Sequence, residues 1–128
     1  MSITRETAPV ARILVAEDDR PLAQLLMANL EQDGHEVVVA EDGRYVLGTL
    51  MEQTFDVVVL DLMMPWVDGF EVLLNLGSAR PRVVVLTARD DGYSERRARA
   101  LGVDAYLTKP YDPEDLAATV KRLASDDG

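Results

Sequence analysis

Six side chains able to carry chemistry stand directly after runs of core-type residues. Glu17, Asp18 and Asp19 follow ILVA, Asp61 follows VVVL, Thr87 follows a second VVVL, and Lys109 follows AYLT. An ionised carboxylate beside a buried strand is costly to desolvate, so it is normally paired, bound to metal or excluded. Several carboxylates within a few ångströms repel one another and resist ionisation unless a cation sits among them. The acidic members of this set therefore point to a hard cation, Mg²⁺ first, held by few carboxylates and several waters. A metal alone does not need Thr87 and Lys109. A hydroxyl and an ammonium aimed at one spot suit an anion with several oxygens, and phosphoryl is the group that Mg²⁺ most often accompanies. A carboxylate can itself attack a phosphoryl group to give an aspartyl phosphate, and Asp61, central in the set, is the candidate nucleophile.

For these residues to meet, the runs that precede them must be neighbouring strands. Short apolar runs alternate with stretches of helical period along the chain, the pattern of βα units around a parallel sheet buried on both faces. Strands are expected at Arg12–Ala16, Val37–Val39, Val57–Leu60, Val83–Leu86 and Ala105–Leu107. The first helix has Pro21 in its first turn and Leu22, Leu25, Leu26, Asn29 and Leu30 on one face, and Gly34 stops it. The second follows Asp42 and Gly43 and carries Val46, Leu47, Leu50 and Met51. After the turn Pro65–Asp68, GFEVLLNLG reads as the third; Asp91 to Leu101, closed by Gly102, is the fourth. The last opens with Asp112 as cap and Pro113 at its first position, with Leu116, Val120 and Leu123 as its stripe. Right-handed crossovers then place every strand's carboxyl end on one edge of the sheet, where open α/β folds bind their ligands.

The totals agree with one such domain. The chain has 128 residues, 48% hydrophobic and 28% charged, which is ordinary for a packed globular protein. Its formal charge of -10 repels phosphate backbones and anionic lipid head groups, so direct nucleic-acid or membrane binding is not expected. Cysteine is absent, and the opening MSITRETAPVAR lacks the apolar stretch of a signal peptide. A cytoplasmic protein is expected. Residues 1–10 read as an N-terminal tail, 11–124 as the domain and 125–128 as a polar C-terminal tail, with no output domain in this chain.

ILVAEDD, DLMMPWVDG, LTA and YLTKP, in that order and each at the end of its strand, make the chain resemble the receiver domain of two-component response regulators. The resemblance runs from about Arg12 to Leu123. It implies a doubly wound, flavodoxin-like (βα)5 fold, a five-stranded parallel sheet in the order 2-1-3-4-5. It implies that Asp61 accepts a phosphoryl group from a histidine kinase or histidine phosphotransfer protein. Mg²⁺ would be ligated by Asp18, Asp61 and the backbone carbonyl of Met63, with Glu17 acting through a water. Thr87, the backbone amide of Ala88 and Lys109 would hold the phosphoryl oxygens, and the Lys109–Pro110 peptide would be cis. Thr87 and Tyr106 would form the switch, the hydroxyl moving to the phosphoryl and the ring turning inward. The face built from the fourth helix, fifth strand and fifth helix would then act on a downstream protein or output domain.

Read alone, several of these residues have plainer roles. Asp61 could cap a turn, Asp19 reads as the cap of the first helix, Thr87 as a turn residue and Tyr106 as core. Arg96, Arg97 and Arg99 form the one concentrated basic patch; a charge run on a helix is usually a solvated face, with partner contact the alternative. His35, in a turn after Gly34 with no second histidine, reads as a surface residue. The chain also departs from the family pattern. Only 26 positions separate Asp61 from Thr87, so the third helix or the loop after it is shortened. Trp66 stands where the turn commonly carries a small residue. Ala105 and Thr119 replace the acidic and arginine residues of members that dimerise through the fourth-helix to fifth-helix face, so that mode is not expected. Met63 and Arg89 hold positions that tune phosphoryl lifetime.

Three rivals bear on the same residues. A phosphatase of the haloacid-dehalogenase type needs a second aspartate two positions after Asp61, where Met63 stands. A flavin mononucleotide carrier needs hydroxyls, glycines and free amides after the first strand, where EDD presents negative charge. A pseudo-receiver, acting only as an interaction module, would not need the full set of site residues. No turnover of an external substrate is expected beyond the domain's own phosphorylation and dephosphorylation.

Overall fold

The computed structural model describes residues 10–77 and 80–125. The expected N-terminal tail lies outside the described residues apart from Val10, and the expected C-terminal tail apart from Ser125, which ends the last helix. Five strands, β1 (Arg12–Ala16), β2 (Glu36–Ala40), β3 (Val57–Leu60), β4 (Arg82–Thr87) and β5 (Ala105–Thr108), form one parallel sheet in the order β2-β1-β3-β4-β5. Between and after them come α1 (Arg20–Gln32), α2 (Gly43–Glu52), α3 (Gly69–Leu74), α4 (Gly92–Ala100) and α5 (Pro113–Ser125). This is the order and topology expected of the (βα)5 fold.

Alternation along the strands sorts the core into two layers, because successive side chains of a strand point to opposite faces. Ile13, Val15, Val57, Val59, Val84 and Leu86 face α1 and α5, meeting Leu26, Leu30, Leu116, Val120 and Leu123. Leu14, Ala16, Val58, Leu60, Val83 and Val85 face the other way, against Val46, Phe70, Val72, Leu73 and Ala98 of α2, α3 and α4. A strand buried on both faces has no polar side to mark its register, and so reads in sequence as the unbroken VVVL of β3 and β4. Truncating any of the fully buried leucines, such as Leu14 or Leu60, would cost about 2–5 kcal/mol.

An aspartate begins each helix. Asp19, Asp42, Asp68, Asp91 and Asp112 accept from the backbone N–H of Leu22, Arg44, Glu71, Ser94 and Glu114 at 3.2, 2.8, 3.0, 2.8 and 2.9 Å. Each satisfies an N–H that the helix leaves without a partner, worth roughly 0.5–2 kcal/mol. Five of the chain's 23 acidic residues thus serve helix starts.

Several expectations need correction. On α1 the buried face is Ala23, Leu26 and Leu30, while Leu25 is exposed, because the sheet touches a narrower stripe than the run of leucines suggests. Met51, expected on the buried face of α2, is 87% exposed at the helix's last turn, beyond the edge of the sheet. The third helix is six residues long rather than nine, ending at Asn75, whose side chain donates to Glu71 O at 2.7 Å. His35 is buried rather than on the surface, 5% exposed, tucked beneath the start of β2 where it lines a cavity with Val10, Asp33, Ala117, Ala118 and Lys121.

Candidate functional site

The sheet's ladder continues past the strand ends and fixes the site. Glu17 N donates to Ala40 O at 3.1 Å, Asp61 N to Ala16 O at 3.0 Å, and Lys109 N to Thr87 O at 2.8 Å. These bonds place the first residues after β1, β3 and β5 side by side, although they are far apart in the chain. The Lys109–Pro110 peptide is cis. Two glycines close the loops around them. The α-hydrogen side of Gly69 lies so near Asp61 O and Leu62 Cα that a Cβ there would meet them at 2.7 and 2.6 Å, and a Cβ on Gly43 would run into Val67 O. The loop after β3 is therefore held against its own strand by α3 and against the first turn of α2.

Glu17 and Asp61 are both buried, 2% and 4% exposed, while Asp18 is exposed at the rim. A carboxylate oxygen of each of the three lies within 4.8 Å of those of the others, a grouping that could hold a metal ion. Lys109 Nζ donates to Glu17 Oε1 and to Asp61 Oδ2, both at 2.8 Å. Burial raises the Glu17 pKa above the ordinary glutamate value, partly offset by Lys109 and by the N–H of Asp19 on Oε2 at 3.0 Å. Burial works against the Lys109 ammonium, but its bonds to Asp61 and Glu17 outweigh it, and the pKa rises. Asp61 Oδ1 accepts from Met63 N at 2.9 Å, tying the acceptor oxygen to the loop that follows it.

Thr87 is fully buried, its hydroxyl accepting from Arg89 N at 3.4 Å. Ala88 follows at the exposed end of β4. Tyr106 is half-buried against the α2–α4 layer and its hydroxyl donates to Arg89 O at 2.7 Å, so threonine and tyrosine both meet the segment after β4. Arg89 as their shared backbone partner was not visible in the sequence, where only side chains speak. Asp19 turns its side chain to its own helix and joins no cluster.

Comparison with known proteins then decides the family. Residues 13–121 match the response regulator receiver domain. The chain belongs to that family. This receiver domain is 36% identical over 114 residues to the alkaline phosphatase synthesis transcriptional regulatory protein PhoP of Bacillus subtilis, covering 88% of this chain and 48% of PhoP. The chain thus spans about half the length of that relative. Among solved structures it is similar to the receiver domain of the Francisella response regulator 1452 (34% identity, TM-score 0.84, 89% of this chain and 96% of that one). It also resembles the BeF3-activated receiver domain of DrrB (32% identity, TM-score 0.82, 91% and 98% covered) and the chemotaxis response regulator CheY4 of Vibrio cholerae (29%, 0.81, 88% and 98%).

The receiver's loop after β3 carries a feature of its own. Trp66 is 73% exposed and adopts a left-handed φ of 73°, a conformation uncommon for a bulky residue. Arg44 lies over its ring at 4.4 Å, and Arg44 is itself paired with Asp42, the cap of α2, at 3.1 Å. On α4, Arg97 lies over Phe70 and Arg99 pairs with Glu95, so two of the three arginines of the basic patch have partners within the domain. Among the described residues no helix is long and apolar enough to cross a membrane.

Proposed function

We propose that this receiver domain is a phosphorylation-activated switch whose phosphoryl acceptor is Asp61. The observation that carries the reading is the pairing of a buried aspartate with one ammonium and two further carboxylates at a single strand edge. In the transfer, a carboxylate oxygen of Asp61 attacks the phosphorus of a phosphohistidine. The P–O bond forms as the P–N bond breaks, and the imidazole keeps the electron pair and takes a proton. The donor is a histidine kinase or a histidine phosphotransfer protein.

The donor set fits Mg²⁺: hard oxygens only, few of them, with one exposed carboxylate on the solvent side. Asp18, Asp61 and the Met63 carbonyl would hold the ion, and Glu17 would act through a water. Bound there, the ion supplies neutralisation of charge spread over the phosphoryl oxygens. Lys109 and the Ala88 amide orient those oxygens from the protein side. Thr87 gives up Arg89 N for the phosphoryl, which frees the segment after β4 and lets Tyr106 settle inward. The α4–β5–α5 face then changes for a downstream protein or an output domain, a shift between two arrangements already accessible. We place the switch, residues 11–124, in the cytoplasm, where kinases of this class present their phosphohistidine.

The test is the intact mass after incubation with acetyl phosphate, with and without Mg²⁺, beside Asp61→Asn. One phosphoryl adduct that needs both Mg²⁺ and Asp61 is expected. An adduct on Asp61→Asn would move the acceptor elsewhere. No adduct, together with no binding of beryllofluoride, would leave an interaction module without the chemistry.

A further inference from the structure

Strand β5 is an outer strand of the sheet, with β4 on one side and no strand on the other. A row of its backbone N–H and C=O groups therefore faces no ladder partner. Its cover thins along its length: Ala105 is 8% exposed, Tyr106 and Leu107 are half-buried, and Thr108 is exposed. Tyr106, Leu107 and Thr108 all line one cavity of about 270 Å³. Successive side chains of a strand point to opposite faces, and here Tyr106 packs into the α2–α4 layer while Leu107 packs into the α1–α5 layer. A cavity touched by both runs along the outer edge of the strand, where an added strand would lie, and not over one face of the sheet.

The charge at the cavity's end says what fits there. Asp112 and Asp115, from the start of α5, close it. Asp112 accepts Glu114 N through one oxygen, and among the described residues neither aspartate pairs with a cation. The arginines of α4 belong to the other layer, where Arg97 lies over Phe70 and Arg99 pairs with Glu95. Pro110 and the rings of Tyr106 and Tyr111 supply apolar walls, on which the stem of a long cationic side chain can lie with its charge at the carboxylates. The chain's overall charge of -10 draws such a group in from a distance. We propose that the free edge of β5 receives an extended, basic segment of the downstream protein or output domain, which adds a strand to the sheet and sets a lysine or arginine against Asp112 and Asp115. The proposal rests on the α4–β5–α5 face being the output of the switch. Tyr106 is one wall of the cavity, its hydroxyl held by Arg89 O, so turning the ring inward widens the groove and favours the docked state.

The test titrates a short capped peptide of alternating valine and arginine into ¹⁵N-labelled protein in Mg²⁺, with and without beryllofluoride. The controls are the same peptide with glutamate for arginine and the same peptide N-methylated throughout. The arginine peptide should shift the amide signals of Ala105–Thr108, slow their hydrogen exchange, and bind more tightly once beryllofluoride is present. Both control peptides should bind severalfold more weakly, one for want of positive charge and the other for want of ladder hydrogen bonds. The double variant Asp112→Asn, Asp115→Asn keeps a side chain able to cap α5 and should melt as wild type does, yet lose affinity for the arginine peptide severalfold, the size of partly exposed ion pairs. Equal binding of the arginine and N-methylated peptides overturns strand addition, as do shifts confined to residues away from β5 and α5. Undiminished affinity in the double variant, or affinity indifferent to beryllofluoride in protein that binds it, overturns the proposal as well. Wild type that binds the arginine peptide at β5 but takes no beryllofluoride counts against the acceptor reading alone.

Discussion

Lys109 Nζ lies 2.8 Å from Asp61 Oδ2 and answers Glu17 at the same distance, so one ammonium is shared by two buried carboxylates that the chain places 44 positions apart. Removing one partner of a buried ionic group leaves the other uncompensated, which is worse than never having made the pair. Lys109→Met should therefore lower stability at pH 8 by about 2 kcal/mol, a value reduced for the partial exposure of the lysine. Glu17 already has a raised pKa, so its burial costs least where it is protonated and most above its folded pKa. The deficit of Lys109→Met should shrink as pH falls toward 5. Urea unfolding at the two pH values checks this, and a constant deficit would mean that the lysine stem packs rather than neutralises.

Asp61→Asn relieves repulsion in the same cluster while keeping its shape. It should unfold at the same temperature as wild type or higher. A drop of several degrees would show that Lys109 needs both carboxylates more than the carboxylates need relief.

Mg²⁺ should raise the melting temperature, since an ion bound by the folded chain alone stabilises it by about 1.4 kcal/mol at ten times its Kd. Asp18 is the exposed member of the cluster, so Asp18→Asn should remove this gain and leave the metal-free protein at least as stable as wild type. Thermal melts over a Mg²⁺ series read both quantities.

Gly69 holds the Asp61 backbone by leaving room for it. Gly69→Ala would drive a methyl into Asp61 O and Leu62 Cα, backbone atoms that cannot rotate away, at a cost of about 1–3 kcal/mol. It should also slow phosphorylation by acetyl phosphate, because Asp61 moves with its carbonyl. Stability lost with an unaltered rate would show that the strain is relieved on the α3 side instead.

His35 gives the acid limb of stability. Buried without a partner for either nitrogen, its pKa is lowered by burial, with Asp33 opposing; Lys121 also lines the cavity. The unfolded chain takes up a proton near pH 6.5 that the folded chain refuses, so stability falls as pH drops below about 6.5, by up to about 1.4 kcal/mol per pH unit. The stability lost through His35 runs opposite to the change at Glu17. It is isolated as the difference between wild type and His35→Phe, which should widen in favour of the variant from pH 7 to pH 5.

The sequence by itself determined the sheet, its order of elements and the six residues at its edge. That was possible because a strand buried on both faces is written mostly in Val, Leu and Ile, and a helix start favours a short polar cap such as Asp. Charged residues ending such runs are then conspicuous. Those properties are local, and each can be read within a few positions.

What only the tertiary structure decided depends on atoms from distant segments. Leu25 and Met51 continue a helical stripe in sequence but lie past the contact with the sheet, and His35 follows a turn glycine yet sits under β2 beside α5. The shared lysine, the Arg89 carbonyl that takes Tyr106, and the orphaned hydroxyl of Tyr111 are likewise invisible in a one-dimensional reading. A hydrogen bond or its absence is fixed by distance and direction in space, and composition and period carry neither.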